Sequence, residues 1–136
     1  MIGKIPIAGD LLYSTAEADT TIQNPNGASE LAILMRQMQE YSNAEKVRVL
    51  KGHDPSEMPA SFSTLSTAEI TNGMHKSESY DAFATMYLEH VRSYSGSGPG
   101  DERVTAYNNM IASCLGCHSE HCPGPVPVIK KLMIEP

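Results

Sequence analysis

Apolar side chains recur at spacings of three and four along three segments of the chain, the pattern of amphipathic α-helices. The first predicted helix begins after Ser29, a suitable N-cap residue, and its pattern runs to Leu50 before Gly52 ends it. The other two clear patterns cover residues 80–94 and 101–121. Three long helices are therefore predicted from periodicity alone.

A fourth, less regular helix is predicted from near Ala60 to about Ile70. Asp101 is the predicted N-cap of the last helix, and Pro123 prevents that helix from extending beyond about His121. The tyrosines of the last two long helices are expected in the core, since Tyr buries a large ring while its hydroxyl finds a partner. They are Tyr80, Tyr87, Tyr94 and Tyr107.

Four amphipathic helices with short polar connections predict an all-α fold, a four-helix bundle in up-down-up-down order. The predicted bundle covers residues 29–122. Residues 1–28 lack periodicity and contain turn formers, which predicts an irregular N-terminal extension. Residues 123–136 form a Pro-rich C-terminal tail, whose apolar and basic stretch 128–133 predicts at most a docked strand or a turn of helix.

Composition and charge narrow the function classes. The 136 residues suit one domain, and 16 acidic against 10 basic residues give a net charge of −6. This negative net charge does not predict the basic surface that binds nucleic acid or anionic lipid. No run approaches the roughly 18–20 apolar residues of a membrane span. Residues 1–8 are too short and broken for an export signal, so we expect a mature chain whose signal peptide is not present.

The cysteines are clustered near the C-terminus. Cys114, Cys117 and His118 form the sequence C-x-x-C-H, which is the attachment sequence of c-type haem. Two thiols are needed to form thioether links to the haem vinyl groups, and the following imidazole binds the iron. On a helix these three positions are neighbours on one face. The pattern predicts one covalently bound haem c with His118 as an iron ligand.

Three other interpretations of this cluster stay open. A structural zinc site would use Cys114 and Cys117 with His121 or Cys122. A thioredoxin-like dithiol would need its first Cys at a helix N-terminus, whereas the pattern places the pair near a helix C-terminus. The thiols could also be buried without any cofactor. Cys122, the unpaired thiol, is expected to be half-buried beside this helix or to form an intermolecular disulfide.

A C-x-x-C-H sequence near the C-terminus of a four-helix chain resembles the class II cytochromes c, the cytochrome c′ group and its low-spin relatives. The likeness covers about residues 29–122, and Lys51-Gly52 is similar to the turn that closes the family's first helix. The resemblance implies that this helix presents a residue to the distal side of the haem. Counting back from the turn leads to within one residue of Met35. Met35 is the expected sixth ligand, Met38 is the reserve, and an open or unusually ligated iron is the third option.

The sequence departs from the family after the haem histidine. The family continues with two residues, then Tyr or Phe, then Arg, and here His121 and Cys122 occupy the last two positions. The family's Arg belongs to the proximal pocket of gas-binding members. Because this chain lacks that Arg, the resemblance gives less reason to expect binding of NO or CO. His53 and His90 are expected at the surface, and His75 is a distal alternative.

Together these observations predict a monohaem c-type cytochrome that transfers electrons by cycling its iron between Fe(III) and Fe(II). The sequence shows no nucleophile–base pair, paired carboxylates or phosphate loop, so an enzyme is not expected. The alternatives are a five-coordinate haem protein that binds or senses NO or CO, and a haem subunit of a larger redox assembly. We expect redox partner proteins, a homodimer through the first helix by resemblance, and a periplasmic or otherwise extracytoplasmic location.

Overall fold

The computed structural model describes residues 29–70 and 76–135. Its elements are α1 (Glu30–Leu50), a 3₁₀ helix (Ala60–Thr64), α2 (Tyr80–Ser95), α3 (Asp101–His121) and α4 (Val126–Lys130). These two ranges contain no β-strand, so the predicted all-α class is confirmed. The predicted N-terminal extension, residues 1–28, and the distal alternative His75 lie outside the described residues.

Both ends of α1 follow the prediction. The Ser29 hydroxyl accepts a hydrogen bond from the backbone N–H of Ala32 at 3.1 Å, which satisfies one of the free donors of the first turn. At the other end Gly52 adopts φ 76°, a left-handed conformation that glycine takes without steric cost. The N–H of His53 then donates to the carbonyl of Arg48 at 2.8 Å, closing a Schellman motif.

The start of α3 differs from the prediction by one residue. Gly100, with φ 81°, is the N-cap, and Asp101 is the first helical residue, so the prediction of Asp101 as the cap is wrong. The carboxylate of Glu102 accepts a hydrogen bond from the N–H of Gly98 at 2.9 Å and holds the preceding loop in place. Acidic residues in this first turn still interact favourably with the helix dipole.

The predicted second helix is also wrong in length. The structure has only the five-residue 3₁₀ helix in this region, starting after Pro59. Hydroxyl groups compete with the helical ladder: Ser63 Oγ bonds the carbonyl of Ala60 at 2.9 Å and Thr64 Oγ1 bonds that of Ser61 at 2.7 Å. The apolar anchor Phe62 is nonetheless fully buried, so the pattern located the buried position but not the helix.

The directions of the long helices follow from contacts at both ends. Phe83, early in α2, lies against Gly116, late in α3, where a Cβ atom would come within 3.0 Å of the Phe83 ring. Tyr94 and Tyr107 meet at the opposite ends, with ring centroids 5.9 Å apart. The two helices are therefore antiparallel. In the described parts of the connection between α1 and α2, residues 51–70 and 76–79, the 3₁₀ helix is the one regular element.

A buried carboxylate joins α1 to α2 and to the connecting segment. Glu45 is 1% exposed, and its Oε1 accepts hydrogen bonds from the Tyr94 hydroxyl at 2.7 Å and the backbone N–H of Ser56 at 3.0 Å. The Ser56 hydroxyl bonds Oε2. Three donors thus satisfy a group that would otherwise be costly to bury. The four tyrosines predicted in the core are all buried, as expected.

The C-terminal segment packs across α1 and α3. The hydroxyl of Tyr107 lies 2.8 Å from the carbonyl of Leu132 and 3.2 Å from that of Ser42. The amide side chain of Asn108 makes two hydrogen bonds to the backbone of Ile134, at 2.8 Å and 2.9 Å. The short helix α4 is thereby held beside the end of α3. Across the described ranges, no helix has both the length and the apolar character that a bilayer crossing requires.

Candidate haem-binding site

A cavity of about 520 Å³ lies between the first half of α1, the start of α2, the end of α3 and α4. Its volume falls in the range of small-molecule and cofactor sites, roughly 300–1,000 Å³. Every site residue predicted from the sequence lies on its wall: Met35, Met38, Cys114, Cys117 and His118. The fold therefore brings the two candidate distal methionines of α1 and the C-x-x-C-H sequence of α3 to one space.

The imidazole of His118 is held by one nitrogen only. Its Nδ1 lies 3.0 Å from the backbone carbonyl of Cys122, and a carbonyl can only accept, so Nδ1 carries the proton and donates. Nε2 then keeps its lone pair, and within the described residues it has no hydrogen-bond partner. Burial lowers the pKa of His118, which favours the neutral imidazole that binds metals.

His121 is held differently, although it also lies on the cavity wall. Its Nδ1 is 3.0 Å from the carbonyl of Cys117, and its Nε2 contacts the hydroxyl of Ser77. Its ring also packs edge-on against Tyr80 and Phe83, with centroid distances of 5.7 Å and 6.1 Å. Both nitrogens of His121 are therefore used within the fold, whereas His118 keeps one free.

The thiols of the motif are neutral near pH 7. Burial raises the pKa of Cys114 to about 12, with a further contribution from Cys117. Burial also raises the pKa of Cys117, with smaller contributions from Glu120 and Cys122. A thioredoxin-like dithiol needs the opposite shift, toward a reactive thiolate at a helix N-terminus. The position at the end of α3 and these raised values both disfavour the dithiol interpretation.

The two methionines are placed differently on α1. Met35 is half-buried on the cavity wall, whereas Met38 is 7% exposed and belongs to the main hydrophobic core. A methionine side chain that is packed into the core has less freedom to move and contact a molecule bound in the cavity. The placement favours Met35 over Met38 as the residue that α1 presents to the cavity.

The hydroxyl of Tyr87 is a buried polar group that bears on whether a molecule binds in this cavity. Tyr87 is 3% exposed and its ring lines the cavity, and burial raises the pKa of its hydroxyl. Among the described residues it is the one buried side-chain nitrogen or oxygen without a hydrogen-bond partner. Folded proteins rarely leave such groups unpaired. The two thiols and the His118 imidazole on this wall are the groups that a covalently attached haem would use, and the unpaired Tyr87 hydroxyl would be available to a bound molecule.

The zinc interpretation requires a different arrangement. A structural zinc ion takes four tetrahedral ligands. In residues 29–70 and 76–135 no three or more His, Cys, Asp or Glu side chains form a group that could hold a metal ion. A haem places no such demand on the chain, because the porphyrin supplies four of the iron ligands and the protein supplies only the axial ones.

Some features of the site had no signal in the sequence. Cys122 was considered for its thiol, but its backbone carbonyl is what orients His118. Pro125, Val128 and Ile129 also line the cavity, and the apolar and basic stretch 128–133 was the only sequence feature that suggested a docked segment here. All three cysteines are free thiols and partly buried, as expected for Cys122.

Comparison with known proteins adds no relative. No family model matches the chain, and neither a curated protein nor a solved structure matches it. The function is therefore argued from the residues of the cavity and their geometry.

Proposed function

We propose that this chain is a monohaem c-type cytochrome that carries single electrons. The observation that carries the proposal is the state of His118, a cavity-wall residue whose Nδ1 donates to the Cys122 carbonyl while Nε2 has no hydrogen-bond partner among the described residues. Metal-ligating histidines characteristically donate their other ring N–H to a carbonyl or carboxylate. Cys114 and Cys117, the thiols of the attachment sequence, lie on the same wall.

Each residue of the site has a distinct task in this proposal. Cys114 and Cys117 would hold the haem through thioether bonds, and His118 Nε2 and Met35 would bind its iron. The haem, when bound, supplies a one-electron Fe(III)/Fe(II) couple. The apolar side chains of the cavity wall would exclude water from the haem, and ligation by Met35 would raise the reduction potential.

The proposal includes the bundle order of the class II cytochromes c, with one replacement. The first half of α1 shares the cavity with the start of α2, and Glu45 near the end of α1 bonds Tyr94 near the end of α2. Helices α1 and α2 therefore run in the same direction, and α3 runs opposite to them. In the described residues of the connection, 51–70 and 76–79, the short 3₁₀ helix would stand in place of the family's second bundle helix.

Location and partners follow from the chemistry of attachment and from charge. Covalent haem attachment implies an exported protein in an oxidising compartment such as the periplasm. A net charge of −6 favours weak, salt-sensitive encounters with redox proteins that carry basic docking patches. A homodimer through α1 also stays a proposal. Ile33, Val47 and Leu50 would be available for its contact, because they are 43%, 49% and 64% exposed.

The proposal is tested by producing the full chain in cells that attach haem to exported C-x-x-C-H proteins. We expect a red protein with a Soret band whose colour stays with the polypeptide after denaturation in acid-acetone. Thioether bonds survive this treatment, whereas a coordinated haem is extracted. Purified protein without a Soret band would overturn the proposal.

A second experiment identifies the sixth ligand and separates electron transfer from gas binding. Met35→Leu removes the sulfur while conserving volume, and we expect it to convert a low-spin iron to a high-spin, five-coordinate one in optical spectra. Met38→Leu is the matched control and should leave the low-spin spectrum unchanged. If the wild-type ferrous protein is already high-spin and binds CO readily, the gas-binding alternative replaces electron transfer.

A further inference from the structure

The described wall of the cavity carries one permanently charged side chain, the guanidinium of Arg36. The other described wall residues are apolar, aromatic, hydroxyl, thiol, amide or imidazole side chains, and none of them is Asp or Glu. The chain as a whole has 16 acidic and only 10 basic residues. In an acidic protein, a lone cation on an apolar cavity wall points to an anionic group on whatever the cavity binds.

The side chain of Arg36 has no partner among the described residues of the fold. Arg36 is half-buried, and in the described ranges it forms neither an ion pair nor a hydrogen bond through its side chain. The ion pair seen in those ranges joins Arg103 to Asp54 instead, at 3.4 Å. A partly buried guanidinium offers five donors in a rigid plane, and burial without a partner is costly.

Gln39 lies three residues further along α1 and also lines the cavity. Positions three apart are neighbours on a helix face, so Gln39 and Arg36 belong to the same side of α1. Gln39 is exposed whereas Met35 and Met38 lie deeper, which places the polar pair where the cavity meets solvent. The α1 wall thus has an apolar interior and a cationic, hydrogen-bonding rim.

We propose that Arg36, assisted by Gln39, binds a carboxylate of the molecule held in the cavity, and that this carboxylate is a haem propionate. The assignment of haem rests on the proposed function. The planar guanidinium matches a carboxylate in bidentate geometry, which a lysine could not reproduce. Arg36 and Gln39 of α1 would then hold the carboxylate, while Cys114 and Cys117 of α3 would hold the haem through thioether bonds.

The first test compares Arg36→Gln with Arg92→Gln in the haem-loaded full chain. Arg92 is an exposed residue of α2 that does not line the cavity, which makes it a matched control. Arg36→Gln should shift the propionate bending bands in resonance Raman spectra and lower the reduction potential, because losing a nearby cation favours ferric iron. Arg92→Gln should change neither. Unchanged bands and potential in Arg36→Gln would overturn the inference.

The second test separates haem propionates from a free fatty acid, which offers the same carboxylate. The full chain with Cys114→Ser and Cys117→Ser is titrated with haem and with haem dimethyl ester. We expect Arg36→Gln to weaken haem binding about tenfold, or ~1.4 kcal/mol, and to leave ester binding unchanged. Equal binding of haem and ester by the chain that retains Arg36 would overturn the inference while the proposed function stands.

A third arm uses a fluorescent fatty acid with the haem-free chain. Absence of Arg36-dependent binding of this probe supports the haem propionate as the occupant. If instead the probe binds through Arg36 in a chain that never acquires covalent haem, the proposed function and the haem assignment both fail.

Discussion

Replacing both Cys114 and Cys117 with Ser is expected to abolish covalent haem attachment completely. Without the two sulfur atoms no thioether bond can form, although His118 Nε2 remains free to bind the iron of a loosely held haem. Acid-acetone should then extract all of the colour from the variant and none from the wild-type chain. The pyridine haemochrome band should also move to the position of a haem with intact vinyl groups.

Cys122→Ser is the matched control for this prediction. Cys122 lies on the same cavity wall and is also a free, partly buried thiol, but it stands outside the C-x-x-C-H spacing. Its contribution to the site is a backbone carbonyl, which serine keeps. Loss of covalent haem in Cys122→Ser, or its retention in the double variant, would contradict the assignment of the attachment cysteines.

Replacing Glu45 with Ala is expected to destabilise the fold strongly. Glu45 is only 1% exposed. The substitution leaves the Tyr94 hydroxyl and the backbone N–H and hydroxyl of Ser56 without their acceptor in a buried site. Unsatisfied buried donors and a lost charge-assisted network together cost about 3 kcal/mol. The free energy of unfolding in urea, measured for the variant and the wild-type chain, checks this value.

Glu40→Ala is the control for that measurement, because Glu40 is an exposed residue of the same helix. A surface substitution of this kind should stay within about 0.5 kcal/mol of the wild type. Glu45 does not line the cavity, so Glu45→Ala should also leave the optical spectrum of the folded haem protein unchanged. Equal stability of the two variants would show that the Glu45 network contributes little.

The sequence located the helices where periodicity and end signals agree. For α1, the cap at Ser29 and the left-handed Gly52 both act through the backbone of their own turn, so they can be read without knowledge of the rest of the fold. The prediction of a helix from Ala60 was wrong, also because of local interactions. The hydroxyl groups of this segment bond nearby carbonyls and interrupt the helix. The periodic pattern predicted that Phe62 is buried, but it does not show that side-chain hydroxyl groups compete with the backbone for these carbonyls.

Several features of the site could not be read from the sequence because they depend on contacts between distant segments. Glu45 is a charged residue of α1 whose burial no local pattern indicates, and that burial depends on Tyr94, which is 49 positions away. The C-x-x-C-H spacing favours His118 over His121 as the haem ligand, but it does not show how either ring is held. The structure distinguishes them through Ser77, which engages the second nitrogen of His121 from a distance of 44 positions.

By itself the sequence determined the all-α class, the three long helices and the attachment spacing that puts Cys114, Cys117 and His118 on one helix face. These follow from the repeat of the α-helix, which relates residues three or four apart regardless of what packs around them. Only the tertiary structure decided that Met35 and Arg36 share a cavity with that face, and that α4 helps to close it. The physical reason is that a cavity wall is assembled from side chains far apart in the chain, and their meeting depends on the packing of the whole domain.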